Sequence, residues 1–336
     1  MTNTAGTPAM PERSSESVDT LVIGGGQAGL ATSYWLTKAG VDHLVVDGRE
    51  RLGGSWPDRW DSFCLVAPNF TLQLPGMPYD GPDPDGFLPR DDVVAYVQQY
   101  AAAIAAPVRL ATAVRRLVAS GAAFEADTGS GTITARRVVL ATGPYQRPKI
   151  PPAAQALPDH IQQLHSGEYR RPGQIAAGAV LVVGTGQSGT QIAEELHAAG
   201  HHVHLAVSMC PALPSRYRGR DSIWWLFQAF HHGAEVGVAF PTVAQLPSPA
   251  SRFGCDPHVS GKDGGHDISL RQFARQGIRL YGRLESASDA TARFNPDLNS
   301  RLAYAETGFD QEFRPLFDAY IAAAGIDAPP DDRPPP

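Results

Sequence analysis

Two stretches of the chain carry glycines at the spacing that lets a backbone turn hold a pyrophosphate. They are V-I-G-G-G-Q-A-G-L-A at 22–31 and V-V-G-T-G-Q-S-G-T-Q at 182–191, which align at an offset of 160 residues. The first glycine of such a motif allows a tight turn, the second lets a phosphate approach the backbone, and the third lets helix and strand pack closely. The unpaired amide groups that open the next helix attract anions. The pattern predicts two dinucleotide sites in one chain.

The repeat extends beyond the glycines. L-T-K-A-G at 36–40 falls on L-H-A-A-G at 196–200 under the same offset, and both copies then enter an apolar strand. A single glycine motif is weak evidence, whereas two copies in register indicate a repeated strand–turn–helix–strand unit. The residues expected to form the cofactor-binding turns are Gly24, Gly26, Gln27, Ala28 and Gly29 in the first copy and Gly184, Gly186, Gln187, Ser188, Gly189 and Thr190 in the second.

The two copies differ where the second strand ends. Asp47 lies 18 residues after Gly29, where a carboxylate accepts hydrogen bonds from an adenosine ribose and repels a 2′-phosphate. The second copy has Val207 and Ser208 instead, and Ser208 can donate to a phosphate oxygen. Three arginines follow and could reach the same phosphate, unless they form a solvated surface run: Arg216, Arg218 and Arg220. The first copy therefore predicts FAD or NAD, and the second predicts NADPH. An FAD-type site and an NADPH-type site in one chain imply hydride transfer from nicotinamide to flavin.

Three further stretches point to a known family. They are R-L-G-G-S-W at 51–56, A-P-N-F at 67–70 and R-R-V-V-L-A-T-G-P-Y-Q-R-P-K-I-P at 136–151. Together with the glycine motifs they make residues 18–290 resemble class B flavin-dependent monooxygenases, which include the flavin-containing monooxygenases and their bacterial relatives. Pyridine-nucleotide disulfide reductases also have two such motifs, but the absence of C-x-x-C counts against them.

The resemblance implies roles for individual residues. Gly24, Gly26, Gly29 and Asp47 would hold the adenosine diphosphate half of FAD; Gly54, Ser55 and Trp56 would lie along its ribityl and flavin portion; and Ala141, Thr142 and Gly143 would close the site. Asn69, after Pro68, falls where the family has a catalytic Asn beside the flavin. Its amide would hydrogen-bond the flavin peroxide or the nicotinamide amide. The alternative is that Asn69 is only a turn residue.

The implied function is an NADPH-dependent flavoprotein monooxygenase. NADPH would reduce FAD, and the C4a-hydroperoxyflavin formed with oxygen would oxygenate a soft nucleophile, an amine or a sulfide. Two alternatives stay open: an NAD(P)H oxidase or reductase passing electrons to oxygen, a quinone or a partner, and a truncated, non-catalytic nucleotide-binding remnant.

Departures from the family pattern bear on these choices. The fingerprint F-x-G-x-x-x-H is only partly kept in D-H-I-Q-Q-L-H at 159–165, so a structural role is favoured for His165. The Baeyer–Villiger continuation after G-x-W is missing, which favours heteroatom over ketone oxygenation. Met209 stands where relatives often have Arg, which weakens the choice of NADPH over NADH. A-T-G occurs once, at 141–143, so we expect a chain that lacks the family's last strand.

The composition excludes several classes of protein. The 336 residues are 43% hydrophobic and 18% charged, with a formal net charge of −6, which gives no basic excess for nucleic acid. No stretch approaches the roughly 20 consecutive apolar residues that cross a bilayer, and no metal cluster is seen, so we expect a cytoplasmic protein without a metal. The three cysteines are far apart in sequence, and we expect three separate reduced thiols.

These observations predict an α/β fold with two Rossmann-like, doubly wound, three-layer dinucleotide-binding domains. The expected organisation is a disordered tail at 1–17, an FAD domain at 18–150, a linker at 151–176, an NAD(P)H domain at 177–300, and a helical segment with a Pro-rich tail at 301–336. Within it we expect an amphipathic helix in 87–106, a strand meander before the A-T-G, a helix and strand in 262–284, and one or two helices in 297–325.

Overall fold

The computed structural model describes residues 14–333 except 247 and 290. These residues form two compact units, each discontinuous along the chain. The first contains the described residues up to Pro57 together with Gln73–Pro78 and Asp91–Arg147; the second contains Asp58–Leu72, Tyr79–Arg90 and the chain from Pro148 onward. The second unit thus includes Asp58–Leu72 and Tyr79–Arg90, which lie within the range predicted for the FAD domain, 18–150.

The first unit is built on a six-stranded sheet. Its strands are β1 (Ser14–Ile23), β2 (His43–Val46), β5 (Val108–Arg109), β6 (Arg116–Ser120), β7 (Ala123–Asp127) and β8 (Gly131–Leu140), with a separate hairpin of β3 (Gln73–Leu74) and β4 (Met77–Pro78); its helices are α1 (Gln27–Lys38) and α2 (Arg90–Ala103). The strand order is β5-β2-β1-β8-β7-β6, and β5, β2, β1 and β8 run parallel. The antiparallel β6, β7 and β8 are the predicted meander, and α2 is the predicted amphipathic helix.

Apolar strands explain why β1 occupies the middle of this sheet. Leu21 and Val22 are fully buried, as expected for a parallel strand covered on both faces. The helices add a second cluster, in which Leu30 of α1 packs with Val97 and Tyr100 of α2. β1 begins at Ser14, inside the stretch predicted as a tail, because Ser14 to Val18 pair with β8 from Gly131 onward. The rest of that predicted tail, residues 1–13, lies outside the described part of the chain.

The second unit has a smaller parallel sheet. Its strands are β9 (Ala179–Val183), β10 (His202–Ala206), β11 (Arg216–Tyr217), β12 (Arg220–Asp221), β13 (Arg279–Tyr281), β14 (Leu284–Ala287) and β15 (Ala292–Phe294); its helices are α3 (Gln187–Ala198), α4 (Ser222–His232), α5 (Leu270–Gln276), α6 (Leu298–Gly308) and α7 (Arg314–Ala323), with a π-helical turn at Phe309–Phe313 between the last two. The parallel order is β13-β10-β9, and β11–β12 and β14–β15 are hairpins. The helix and strand expected in 262–284 and the helices expected in 297–325 are present.

Strand β9 lies at the edge of its sheet although its sequence, A-V-L-V-V, suits a central position. Leu181 is 39% exposed and Val183 is 47% exposed. Among the described residues, no strand pairs with the outer edge of β9. The order β13-β10-β9 therefore corresponds to one half of a doubly wound sheet. Its edge strand β9 is the first strand of the second repeat copy.

The aromatic stretch D-S-I-W-W-L-F-Q-A-F forms α4 and packs into a core. Trp225 is 1% exposed and clusters with Tyr217 and Phe317, and its indole N–H donates to the Tyr217 carbonyl at 2.6 Å. Part of the stretch predicted as a Pro-rich tail also packs here. The Arg333 guanidinium lies 4.3 Å from the ring centroid of Phe309, because a cation favours the face of an aromatic ring.

Candidate dinucleotide sites

The first glycine turn lies where three parallel strands end. Ile23 of β1 pairs with Leu140 of β8, and the amide of Gly24 donates to the carbonyl of Val46 at 2.8 Å. The turn after β1, the residue after β2 and the A-T-G turn after β8 therefore share the carboxyl edge of one sheet. Ligands of open parallel sheets bind at this edge.

Two positions of this turn have no room for a side chain and therefore need glycine. Gly24 has φ +118°, and a Cβ on it would lie 2.2 Å from the carbonyl oxygen of Ala141. A Cβ on Gly29 would lie 1.8 Å from the carbonyl oxygen of Gly24. The turn can pack against both α1 and the start of the A-T-G sequence only because these side chains are absent. This confirms the packing that the motif predicts for its first and third glycines.

The opening of α1 is free to receive an anion from outside. No side chain caps the helix at Gly26, and Gln27 and Ala28 are exposed. Gly54 of the G-G-S-W segment has φ +57°, and a Cβ on it would lie 3.1 Å from the Cα of Gly26. The backbone of that segment thus packs directly on the second glycine of the turn. Ser55 is half-buried, and the Trp56 ring packs against the α1–α2 cluster.

The Asp47 carboxylate is held against this turn. Its Oδ2 accepts from the amide of Gly25 at 2.7 Å, and its Oδ1 accepts from the amide of Arg49 at 2.9 Å. A carboxylate has lone pairs beyond these two bonds, so it can also accept ribose hydroxyls. Uncapped helix amides beside a fixed carboxylate fit the adenosine diphosphate half of a dinucleotide.

The second turn repeats this geometry. Gly184 has φ +105°, its amide donates to the carbonyl of Ala206 at 2.9 Å, and no side chain caps α3 at Gly186. A Cβ on Gly189 would lie 2.0 Å from the carbonyl oxygen of Gly184, matching the clash at Gly29 in the first copy. Ser188 and Thr190 belong to the first turn of α3. The internal repeat predicted from the sequence is therefore present in three dimensions.

In the second copy the Ser208 hydroxyl binds the turn, as the Asp47 carboxylate does in the first copy. Its Oγ accepts from the amide of Thr185 at 3.1 Å, and its own amide donates to the Thr185 Oγ1 at 2.9 Å. Thr185 corresponds to Gly25 under the repeat offset, so Ser208 and Asp47 bind the same position of the turn. The Ser208 hydroxyl keeps its hydrogen for another acceptor, because its oxygen acts as the acceptor here.

The three arginines expected near a 2′-phosphate have different surroundings. Arg216 is exposed and donates to the carbonyl of Gly219 at 2.9 Å. Arg218 pairs with Asp318 at 3.0 Å and also donates to backbone carbonyls near the chain end. Arg220 lies over the ring of Trp224. Arg218 is thus engaged within the protein, and Arg216 stays the arginine predicted for the nucleotide.

Asn69 is buried, with 2% of its surface exposed. Its Nδ2 donates to the carbonyl of Asp83 at 2.8 Å, and its Oδ1 accepts from the amide of Leu88 at 2.7 Å. The carbonyl of Pro68 accepts from Thr71 at 2.8 Å in the same short helical turn. These bonds give Asn69 a structural role in holding the 83–88 segment and leave one amide hydrogen for a ligand. Its catalytic role stays a prediction.

The expectation of three separate thiols is wrong for two of the cysteines. Cys210 and Cys255, 45 residues apart in sequence, form a disulfide. The reason is that the chain returns to the end of β10: the amide of His258 donates to the carbonyl of Pro211 at 3.0 Å. Cys64 stays a free thiol, and burial raises its pKa, with a further rise from the charge of Asp263.

The returning segment brings a buried histidine to the second turn, which the sequence did not indicate. His258 is fully buried, its Nδ1 lies 3.2 Å from the Thr185 carbonyl oxygen, and its Nε2 has no hydrogen-bond partner among the described residues. Burial lowers its pKa to about 4. The next amide, of Val259, donates to the Gln187 side chain at 3.0 Å. Residues 258–259 therefore bind the turn and the first residue of α3.

Replacing His258 by glutamine is expected to flatten the pH dependence of stability. Because burial keeps His258 neutral, the unfolded chain binds a proton at a higher pH than the folded protein does. The free energy of unfolding therefore decreases as the pH falls from about 6.5 towards about 4. Between pH 7.5 and pH 5 the wild-type protein should lose about 2 kcal/mol from this group, and H258Q should lose none of it. Urea unfolding at both values measures the difference. The exposed His160→Gln variant is the control, and an unchanged slope in H258Q would contradict the expectation.

Among the described residues, no group of three or more His, Cys, Asp or Glu side chains is arranged to hold a metal ion. None of the helices within residues 14–333 is both long and apolar enough to cross a membrane.

Comparison with known proteins decides the family. Residues 21–218 match the pattern of the pyridine nucleotide-disulphide oxidoreductases. The chain belongs to this family. The match begins in β1 and ends after Ser208, so it contains both glycine turns and both strand ends.

Individual relatives are named as oxidoreductases and monooxygenases. An uncharacterised CzcO-like oxidoreductase of Geobacillus kaustophilus is 40% identical over 62% of this chain and 60% of its own length. The indole-3-pyruvate monooxygenase YUCCA1 of Oryza sativa subsp. japonica is 30% identical over 60% of this chain and 50% of its own length. The chain thus spans about 60% of the length of the first bacterial relatives that it matches.

Solved structures confirm the fold class. A double mutant of a flavin monooxygenase from Stenotrophomonas maltophilia is 25% identical with a TM-score of 0.63, over 83% of this chain and 74% of that one. A bacillithiol disulfide reductase from Staphylococcus aureus, 13% identical with a TM-score of 0.53, shares the fold alone. The predicted Rossmann-type α/β architecture and the resemblance to flavin-dependent monooxygenases are confirmed. The roles of individual site residues stay predictions.

Proposed function

We propose that the protein is an NADPH-dependent flavoprotein monooxygenase, which binds FAD at the first glycine turn and NADPH at the second. The observation that carries the proposal is the doubled turn with unlike strand ends. Asp47 puts a carboxylate at one site, and Ser208 puts an uncharged hydroxyl at the other, on the same backbone position of the turn. The oxidoreductase family of the chain, a monooxygenase among its relatives and the similarity to a solved flavin monooxygenase support the same conclusion.

Bound FAD would supply the hydride acceptor and the oxygen chemistry. The first unit would hold it by the amides that open α1 at Gly26 and Gln27, and by Asp47 on the ribose. The A-T-G turn, Ala141 to Gly143, would close the site next to Gly24. These groups bind and orient, and none of them has to move a proton.

The second unit would hold the coenzyme by the amides that open α3. The Ser208 hydroxyl keeps a hydrogen for an oxygen of the 2′-phosphate, and Arg216 would add a positive charge. A carboxylate is missing from this place, so no like charge opposes the phosphate. The choice of NADPH over NADH rests on these two features.

An amine or a sulfide is the proposed substrate class, since the sequence lacks the Baeyer–Villiger continuation. One amide hydrogen of Asn69 stays available for a ligand, and the group carries no charge. Cytoplasmic localisation, oxygen as co-substrate and the absence of a nucleic-acid or membrane partner stay part of the proposal.

The visible spectrum of the purified chain tests the flavin half first. Oxidised flavin bands are expected, and the longer-wavelength band should bleach when NADPH is added under nitrogen. With an amine or sulfide and oxygen present, one labelled oxygen atom from O₂ should enter the product. Peroxide release without labelled product would show an NAD(P)H oxidase instead. A chain that stays colourless after FAD is added would contradict the proposal.

A further inference from the structure

The disulfide lies beside the second nucleotide turn. A Cβ built on Gly186 would lie 3.4 Å from the Sγ of Cys255, so this sulfur is in contact range of the glycine that a pyrophosphate approaches. Its partner, Cys210, follows Ser208 by two residues at the end of β10. The disulfide thus joins the strand end that is expected to select the coenzyme to a loop lying on the phosphate-binding turn.

The first copy of the repeat shows what is different here. The neighbour of Gly26 at the same place is Gly54, whose Cα would lie 3.5 Å from an added Cβ. Gly54 has no side chain, so only its backbone lies against the first turn. In the second copy a sulfur, larger than a methylene group, lies at nearly the same distance, 3.4 Å. The oxidised protein therefore has a side-chain sulfur, held by a disulfide, where the first copy has only backbone.

The loop that carries Cys255 can move once the disulfide is broken. Residues 254–256 are exposed. Besides the Cys210 Sγ, which lies 3.0 Å from the Asp256 carbonyl oxygen, the next contacts that tie the segment to the β10 end are the backbone hydrogen bonds of His258. Because His258 and Val259 stay bound to the turn and to Gln187, only the part near Cys255 would be released. Reduction should change the approach to Gly186 without unfolding the unit.

Reduction can start only at one of the two sulfurs. Cys255 is exposed, whereas Cys210 is fully buried. A thiolate of an external dithiol would attack the Cys255 Sγ, break the bond to Cys210 and leave Cys210 as a thiolate that takes up a proton. The second thiol of the reagent would then close its own disulfide and release Cys255. The protein gains two electrons and two protons, and the dithiol loses them.

We propose that the Cys210–Cys255 disulfide is a redox clasp, a disulfide that obstructs the second dinucleotide site. NADPH binds weakly while the disulfide is intact and more tightly after a dithiol has reduced it. The inference rests on the proposed NADPH site, and it adds that the thiol state of the protein sets the affinity of that site. Cys64 has no part in the clasp.

Titration of NADP⁺ into the 336-residue protein with any bound flavin tests the proposal. Under denaturing conditions without reductant, a thiol reagent should find one thiol in the oxidised protein and three after dithiothreitol treatment, since only Cys64 is unpaired. The dissociation constant for NADP⁺ should be about tenfold lower in the reduced protein. The C210S and C255S variants should bind like the reduced protein whether or not dithiothreitol is present.

The Cys64→Ser variant is the matched control and should keep the full difference between the two redox states. Equal affinity of the oxidised and reduced proteins, tighter binding by the oxidised one, or three free thiols in the untreated protein would each overturn the clasp and leave the proposed function standing. Absence of NADP⁺ binding in every form, including C210S, would overturn both the clasp and the NADPH site.

Discussion

Replacing Gly29 by alanine is expected to remove bound flavin from the protein. The added Cβ would lie 1.8 Å from the carbonyl oxygen of Gly24, far inside contact distance, and neither atom can rotate away because the backbone fixes the position of each. The start of α1 must then move off the turn, and its amides no longer converge on a phosphate. We expect flavin affinity to fall about a hundredfold, close to 3 kcal/mol. Flavin content after purification measures it.

The internal repeat offers a matched control for this prediction. Gly189→Ala makes the same clash in the second turn, at 2.0 Å from the carbonyl oxygen of Gly184. It should keep flavin and lose rapid reduction by NADPH. Gly173→Ala, with nothing within 4 Å of the added Cβ, should keep both. A Gly29→Ala protein that stays yellow with full flavin content would show that the first turn does not hold the cofactor.

The sequence could predict the glycine turns because their requirements are local. A positive φ at Gly24 or Gly184 and a close approach at Gly29 or Gly189 depend on residue type and on the few residues around them. The order of strand, turn, helix and strand then follows from hydrophobic periodicity, and a parallel sheet places Asp47 at the same edge as the turn. For the first copy, local rules and topology agree.

The features missed by the sequence depend on where distant segments return. The disulfide and the buried His258 exist because the chain after α4 comes back to the end of β10, and nothing in the 209–266 stretch announces that path. Arg333 packs on Phe309 for a similar reason: a Pro-rich composition forbids regular structure but does not prevent a side chain from finding an aromatic face.

Only part of the role of Ser208 could be predicted from the sequence. The repeat offset places Asp47 on Val207, one residue before the side chain that binds the turn. The sequence therefore showed a lost carboxylate and a possible phosphate donor. It did not show that Ser208 would bind the Thr185 amide in the way that Asp47 binds the Gly25 amide. That equivalence needs coordinates, and it makes the coenzyme choice testable by exchange.

Replacing Ser208 by aspartate is expected to invert the coenzyme preference. The new carboxylate can accept from the Thr185 amide as the hydroxyl oxygen does, so the turn should stay in place, but its charge opposes a 2′-phosphate and suits a free ribose hydroxyl. The ratio of kcat/KM for NADPH to that for NADH should fall about a hundredfold, or about 3 kcal/mol. Anaerobic flavin reduction with each coenzyme measures this ratio.

Ser208→Asn separates charge from shape in this experiment. Asparagine is the neutral isostere of aspartate and its side-chain oxygen can also accept from the Thr185 amide, so it should change the ratio far less than S208D does. Equal ratios in the two variants would mean that charge at residue 208 does not select the coenzyme. The discrimination would then have to come from Arg216 instead, and Arg216→Ala in the wild-type background should lower the ratio by the amount that S208D failed to remove.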